Sequence, residues 1–526
     1  METERAAVPE SAESVAVPES AESAAVPESA ESVAVPGSTE SAAVPESAES
    51  AAAYGELTEP VKRELRAVVG EAWFKDDPES RVTHSYDGTP MRQALPDGVI
   101  YPGSTEDVSA ILNILSRHRI PLVSRGSGTN LCGGTVPVRG GVVMVMHRMN
   151  RILEVDLENL TATVQPGLNT KQFIAHVESL GLFYPPDPSS MAVSTIGGNI
   201  AECSGGLRGL KYGTTKDYVL GLTAVLANGD VIRTGGKLMK DVAGYDLTKL
   251  LVGSEGTLAV ITEAILKLIP APKFKKTMLA MYKDLYGAAR TVSKIIENRI
   301  IPATLEFLDN PTIRVVDDFA KLGLPRDMAA ILLIEQDGDR ETVERDMAVI
   351  ERICRGENAE RVEVAASEEE AFKLLTARRS AFTALARLRP TTILEDATVP
   401  RSKIADMVLA INRIAEKHRV NICTFGHAGD GNLHPTATTD ARDAEEVRRV
   451  EAAFEDIFEA AIALGGTITG EHGVGVVKAP FLEWKVGPAG IEMMKGIKRA
   501  FDPQGLLNPG KLFARSARRR VVIDRG

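Results

Sequence analysis

Glycine in this chain is concentrated where the backbone must turn tightly or approach another group closely. The run Arg125-Gly126-Ser127-Gly128-Thr129-Asn130 follows an expected strand at residues 121–124. Without Cβ atoms, successive N–H groups can converge into a nest that holds an anion such as a phosphate. Turns of this kind are common, and most hold no ligand. Two phosphate motifs are excluded, because no G-x-G-x-x-G opens a helix here and no G-K-[ST] is present. A second stretch carries Pro185-Pro186-Asp187-Pro188-Ser189-Ser190, Thr195-Ile196-Gly197-Gly198-Asn199, Ser204-Gly205-Gly206 and Lys211-Tyr212-Gly213. It reads as a long loop of tight turns, and a loop of that length inside a compact domain is uncommon unless it serves a ligand. A third piece, Gly253-Ser254-Glu255-Gly256-Thr257, follows.

Around these segments the pattern mixes strands and helices. Strands are expected at residues 99–101, 121–124, 141–146, 153–156 and 161–164. A helix is expected after Ser104-Thr105-Glu106-Asp107, with Val108, Ile111, Leu112 and Leu115 on one face, and another over residues 170–179. Pro270-Ala271-Pro272 breaks the pattern. Beyond it come longer helices, such as 286–297, and strands such as 330–335. The expected fold class is α+β, with domains at 54–270 and 271–513. Residues 7–50 are an imperfect nine-residue repeat of Ala-Val-Pro-Glu-Ser-Ala-Glu-Ser type with no aromatic residue. Such a segment cannot bury enough apolar area to offset its ordering entropy, so residues 1–53 are expected to be a disordered acidic tail. Residues 514–526 are a basic tail.

Charge and cysteine usage narrow the function. The net charge is −11, of which residues 1–53 carry −10 (eleven Glu, one Arg), leaving −1 for the rest. The body therefore has no basic balance suited to nucleic acid. No apolar run reaches the ~18 residues of a membrane span. The opening Met-Glu-Thr-Glu-Arg has neither the basic nor the apolar region of a secretory signal, so a cytoplasmic location is expected. Cys132, Cys203, Cys354 and Cys423 lie far apart and form no C-x-x-C pair. They fit buried thiols rather than a disulfide framework or an iron–sulfur cluster.

The chain has eight His, and three fall in two short motifs, Gly426-His427-Ala428-Gly429-Asp430-Gly431-Asn432-Leu433-His434 and Thr469-Gly470-Glu471-His472-Gly473. Imidazole and carboxylate are ligand types for Zn²⁺ and similar divalent metals. A turn at Asp430-Gly431 would let His427 and His434 converge. A lone His is more often a hydrogen-bonded structural residue; three His and a Glu in two glycine-flanked motifs are a more specific pattern.

The order R-G-S-G-T-N, P-x-D-P, T-I-G-G-N, S-G-G, K-Y-G and G-S-E-G-T resembles the FAD-binding domain of the vanillyl-alcohol oxidase/p-cresol methylhydroxylase superfamily, over about residues 95–270. The second half, with its His motifs and Phe501-Asp502-Pro503-Gln504-Gly505-Leu506-Leu507-Asn508-Pro509-Gly510-Lys511, resembles the substrate domain of FAD-linked 2-hydroxy-acid dehydrogenases. That group includes the flavin subunits of glycolate oxidases and D-lactate dehydrogenases. The resemblance implies that the first loop holds the FAD pyrophosphate and the second lies along the flavin. The implied FAD contacts are Arg125, Gly126, Ser127, Gly128, Thr129, Asn130, Pro186, Asp187, Ser190, Thr195, Gly197, Gly198, Asn199, Gly205, Gly206, Tyr212, Gly213, Glu255, Gly256, Ile261 and Asn508. With no His in the first loop, non-covalent FAD is expected.

In the second half the resemblance implies His427, His434 and Glu471 as ligands of a divalent metal, Zn or similar, with His472 as the base. Arg378, followed by Arg379, aligns with the arginine that holds a substrate carboxylate; a solvated helix face is the alternative for both. Hydroxyglutarate-specific relatives carry a Lys near Leu394 and a polar residue near Phe382. The apolar residues here favour a monocarboxylate such as glycolate or D-lactate. The implied reaction is oxidation to the 2-oxo acid, with electrons passing to an iron–sulfur partner subunit or to a quinone or cytochrome. A homo-oligomer, and attachment to a membrane through that partner, are compatible. Competing readings are a peroxide-forming oxidase or another flavoenzyme of the superfamily, resembling alkyl-dihydroxyacetone-phosphate synthase, and a non-catalytic flavin- or metal-binding subunit.

Overall fold

A computed structural model describes residues 54–513. The repeat tail and the basic C-terminal tail lie outside the described residues. The architecture is α+β, built on three main sheets.

The first sheet has four strands, in the order Phe74–Lys75, Gly98–Ile100, Val142–Val145 and Leu122–Arg125. The last three are parallel. Parallel neighbours need a crossover, and the helix Thr105–His118 supplies one. Its first turn is capped by Ser104, whose hydroxyl accepts from the Asp107 N–H at 3.1 Å. Val108, Ile111, Leu112 and Leu115 are buried against this sheet, as the periodicity requires.

The second sheet is antiparallel, in the order Ile152–Asp156, Thr161–Val164, Val260–Lys267, Val219–Val225 and Val231–Gly235. Every second residue of Val260–Lys267 is buried, the signature of one face packed on a core. The helix Thr170–Ser179 lies on that core through Phe173, Ile174 and Val177.

The third sheet carries the second half of the chain. Its order is Arg361–Val364, Phe274–Tyr282, Ala330–Gly338, Thr304–Asp309, Ile422–His427, Asn432–Thr439 and Thr391–Leu394, with Ala397–Thr398 also on Asn432–Thr439. All of its pairings are antiparallel. Alternation along its strands splits the core in two. Met278, Ala280 and Tyr282 face helices Leu285–Glu297 and Arg340–Gly356, whereas Leu279 and Met281 share the other face with Ile313, Ala377 and Phe425. The second face holds the site described below.

Two features depart from the sequence reading. Residues 185–213, read as a loop, contain the helix Ile196–Glu202 and a helical turn at Gly209–Tyr212. Thr195 caps the former through the Gly198 N–H (3.3 Å), and the buried Asn199 amide donates to Thr170 at 2.8 Å. These contacts hold a helix that its two glycines disfavour locally. The end of the chain also returns to the first sheet. The Leu122 N–H donates to the Leu506 carbonyl (2.8 Å) and the Asn508 N–H to the Leu122 carbonyl (2.7 Å), so the Leu506–Asn508 segment runs beside Leu122–Arg125.

Among the described residues, no helix is long and apolar enough to cross a membrane.

Candidate active site

One cavity of ≈ 760 Å³ spans both halves of the chain, within the usual range for ligand sites. One wall is glycine-rich and holds Arg125 through Asn130, Ser190, Thr195, Gly197, Gly198, Asn199, Gly205, Glu255, Gly256 and Ile261. The other carries Arg378, Arg379, Phe382, Leu394, Phe425, His434, Glu471 and His472. The walls meet closely, since a Cβ on Gly205 would stand 2.6 Å from Glu471 Oε2. On the first wall a Cβ on Gly126 would collide with the Thr195 side chain. Glycine is therefore required where the two flavin-side loops touch. A cavity of this volume walled by glycines and small side chains fits a dinucleotide such as FAD.

Several expected FAD contacts do not line this cavity and make contacts of their own within the protein. Asp187 is buried and engages the guanidinium of Arg379 and the Arg208 N–H (3.2 Å). Gly206 packs against Asp187, and Gly213 against Asp217. The Tyr212 hydroxyl donates to Asp337 across the boundary with the third sheet (2.9 Å). The Asn508 amide donates to the carbonyls of Gly134 and Glu255. Pro186 likewise does not line the cavity.

The histidine cluster follows from strand register. In the hairpin of Ile422–His427 and Asn432–Thr439, Phe425 pairs with His434 and His427 with Asn432. Residues two apart on a strand share a face, so Phe425, His427 and His434 point the same way. Pairing of Phe307 with Gly426 on the next strand sets Glu306 across from His427. Glu471 Oε1 lies 3.2 Å from His427 Nε2 and 3.3 Å from His434 Nε2. The three ligand atoms fall within 4.8 Å of one another. His434 and His472 stack with ring centres 5.1 Å apart. Two imidazoles and a carboxylate converging beside a cavity fit a divalent first-row metal. Nδ1 of both His434 and His472 is buried without a hydrogen bond.

The Glu-His motif is held rather than free. Asp396 Oδ2 accepts from the Thr469 hydroxyl (2.8 Å) and from the N–H groups of Gly470 (2.7 Å), Glu471 (2.9 Å) and His472 (3.1 Å). Burial would raise the carboxyls of Glu306 and Glu471, but neighbouring cationic groups, Arg378 and His427 for Glu306 and His427 for Glu471, hold both low. Burial pushes His472 down to about 4, leaving the imidazole neutral and able to accept a proton.

Arg378, at the end of the helix Glu368–Arg379, is buried and lies 4.8 Å over the Phe425 ring, with Nη2 2.5 Å from Glu306 Oε2. It is not on a solvated face. Phe382 and Leu394 line the same space. Glu306, Asp396 and the fully buried Lys478 were not singled out from sequence. Their signal was a charged residue beside or inside an apolar strand, as in Thr-Leu-Glu306-Phe-Leu and Thr-Ile-Leu-Glu-Asp396, where burial demands a partner.

Comparisons with known proteins identify the family. Residues 96–235 match the FAD binding domain family, and residues 271–512 match the C-terminal domain of FAD linked oxidases. The chain is 64% identical over 469 residues to the glycolate oxidase subunit GlcD of Bacillus subtilis (strain 168), covering 89% of this chain and 100% of that one. It is 35% identical over 432 residues to the D-lactate dehydrogenase of Anaerostipes hadrus, covering 80% and 90%. The fold is similar to p-cresol methylhydroxylase with substrate bound, with a TM-score of 0.74 at 18% identity, covering 87% and 96%. The chain therefore belongs to the FAD-linked oxidases, in the group of FAD-dependent hydroxy-acid oxidoreductases that holds glycolate oxidase subunits and D-lactate dehydrogenases.

Proposed function

We propose that this chain oxidises a small 2-hydroxy monocarboxylate, glycolate or D-lactate, to the 2-oxo acid. The observation that carries this reading is the single cavity that joins the glycine-rich wall to His434, Glu471 and His472, so that a bound hydroxy acid shares its space with the flavin. FAD supplies two-electron acceptance of the C2 hydride, and a divalent metal on His427, His434 and Glu471 supplies Lewis acidity toward the substrate's oxygens.

The chain's own groups do the rest. His472 takes the hydroxyl proton as general base. Arg378, pinned by Glu306 and Phe425, presents a cation toward the substrate carboxylate. Phe382 and Leu394 surround the substrate with apolar surface, which would leave a second carboxylate desolvated and unpaired. That disfavours a dicarboxylate. The loop from Arg125 to Asn130 carries no His to attach a flavin, which supports non-covalent FAD. Acid denaturation should release intact FAD into the supernatant.

GlcD is named as a subunit in Bacillus subtilis, which supports a partner. An iron–sulfur subunit, or a quinone or cytochrome, would take the electrons, with the chain in the cytoplasm and held at a membrane only through that partner.

Stopped-flow mixing with glycolate, D-lactate, L-lactate and D-2-hydroxyglutarate tests the reading. Glycolate or D-lactate should bleach the flavin fastest. Absence of bleaching with all four would reject it, and rapid stoichiometric peroxide in air would move the enzyme to the oxidases.

A further inference from the structure

We infer that Glu306 is a positioning residue that couples the metal-binding histidine to the arginine of the substrate pocket. The inference rests on His427, His434 and Glu471 being metal ligands. Glu306 sits on the strand Thr304–Asp309 and is 0% exposed. Its two oxygens are divided between two partners. Oε1 lies 2.7 Å from His427 Nδ1, and Oε2 lies 2.5 Å from Arg378 Nη2. The Arg378 contact is off the hydrogen-bond line and acts as an ion pair.

Each half of this arrangement has a chemical consequence. A carboxylate that accepts from Nδ1–H fixes the ring orientation of His427 and would keep its one proton on Nδ1 when a metal takes Nε2. The same carboxylate neutralises a guanidinium that is itself only 3% exposed and holds it against Phe425. One side chain thus orients both the imidazole that would hold the metal and the cation that faces the substrate carboxylate.

Glutamine at 306 cannot do both. If its oxygen faces His427, its NH₂ is set against the Arg378 cation. If its NH₂ faces His427 Nδ1, the ring proton is forced onto Nε2, the atom a metal needs.

The test measures Zn²⁺ affinity of the FAD-loaded protein by competition with a chromogenic chelator, in wild type, His427→Ala and Glu306→Gln, alongside kcat and KM for glycolate. Glu306→Gln should keep its FAD, bind Zn²⁺ about ten- to a hundredfold more weakly and show a raised KM. A Zn²⁺ affinity unchanged by His427→Ala would reject the metal site itself. An affinity lost in His427→Ala but unchanged in Glu306→Gln would reject the coupling alone, even if KM rises. Should Glu306→Gln fail to fold, Glu306→Met/Arg378→Met removes both buried charges together, leaves His427 Nδ1 without its acceptor, and is titrated instead. The same loss of Zn²⁺ affinity is expected, and an unchanged affinity again overturns the role of Glu306.

Discussion

The carboxylate of Glu255 accepts a hydrogen bond from the Val474 N–H at 2.7 Å, and its second oxygen accepts from the Gly475 N–H at the same distance. Glu255 belongs to the glycine-rich flavin wall, and Val474 is two residues past His472. The pair latches the loop that carries His472 to the glycine-rich wall. Glu255 adopts a left-handed backbone (φ 51) to reach it. Replacing Glu255 with Gln leaves one oxygen for two donors, at a cost of about 1–3 kcal/mol. FAD should be retained, while flavin reduction by substrate slows at least about tenfold because the base is no longer held in place. Unchanged reduction kinetics in a folded Glu255→Gln protein would show that the latch has no catalytic consequence.

His427→Ala and His434→Ala should each lose bound metal and most turnover while keeping FAD. A three-ligand site has no spare protein ligand. Elemental analysis alongside the flavin spectrum checks this; full metal content in both variants would remove them from the ligand set.

His472→Ala should lose about two to four orders of magnitude in the rate of flavin reduction, the usual reach of a general base. Metal and FAD should stay bound, which separates this variant from the ligand mutants. A loss of less than about tenfold would assign the base to another group.

Lys511 predicts a pH effect on stability. Its ammonium donates to the Val136 carbonyl (2.6 Å) and to Asn508 (3.1 Å), and burial pushes it from 10.5 down to about 8. Between those values the unfolded chain binds more protons than the folded one, so this group's contribution to stability rises with pH from about 8 to 10.5. The thermal midpoint of wild type relative to Lys511→Met should increase across that window. A flat or falling difference would mean that the folded state keeps Lys511 charged.

Local chemistry was legible in the chain itself. The helix Thr170–Ser179 and the strand Thr161–Val164 match the sequence reading residue for residue, because caps and periodicity act over a few neighbours. The glycine-rich segments and the paired His motifs were visible in the sequence for the same reason: each motif carries its own turn, and the structure brings both kinds to one cavity. Three things were decided only in three dimensions. The helix Ile196–Glu202 exists because Thr195 and Asn199 find partners that outweigh its glycines. Asp187, Tyr212 and Asn508, which lie among flavin-type motifs, find hydrogen-bond partners at 21, 125 and 374 positions of separation. Glu306 meets His427 across 121 positions of sequence, and Asp396 meets Gly470 across 74. Such pairings depend on sheet register and on which face of a strand is buried. Neither a local motif nor a charge count records them, since an isolated Glu in a sequence carries the same composition whether it is solvated or holds two cationic partners in the core.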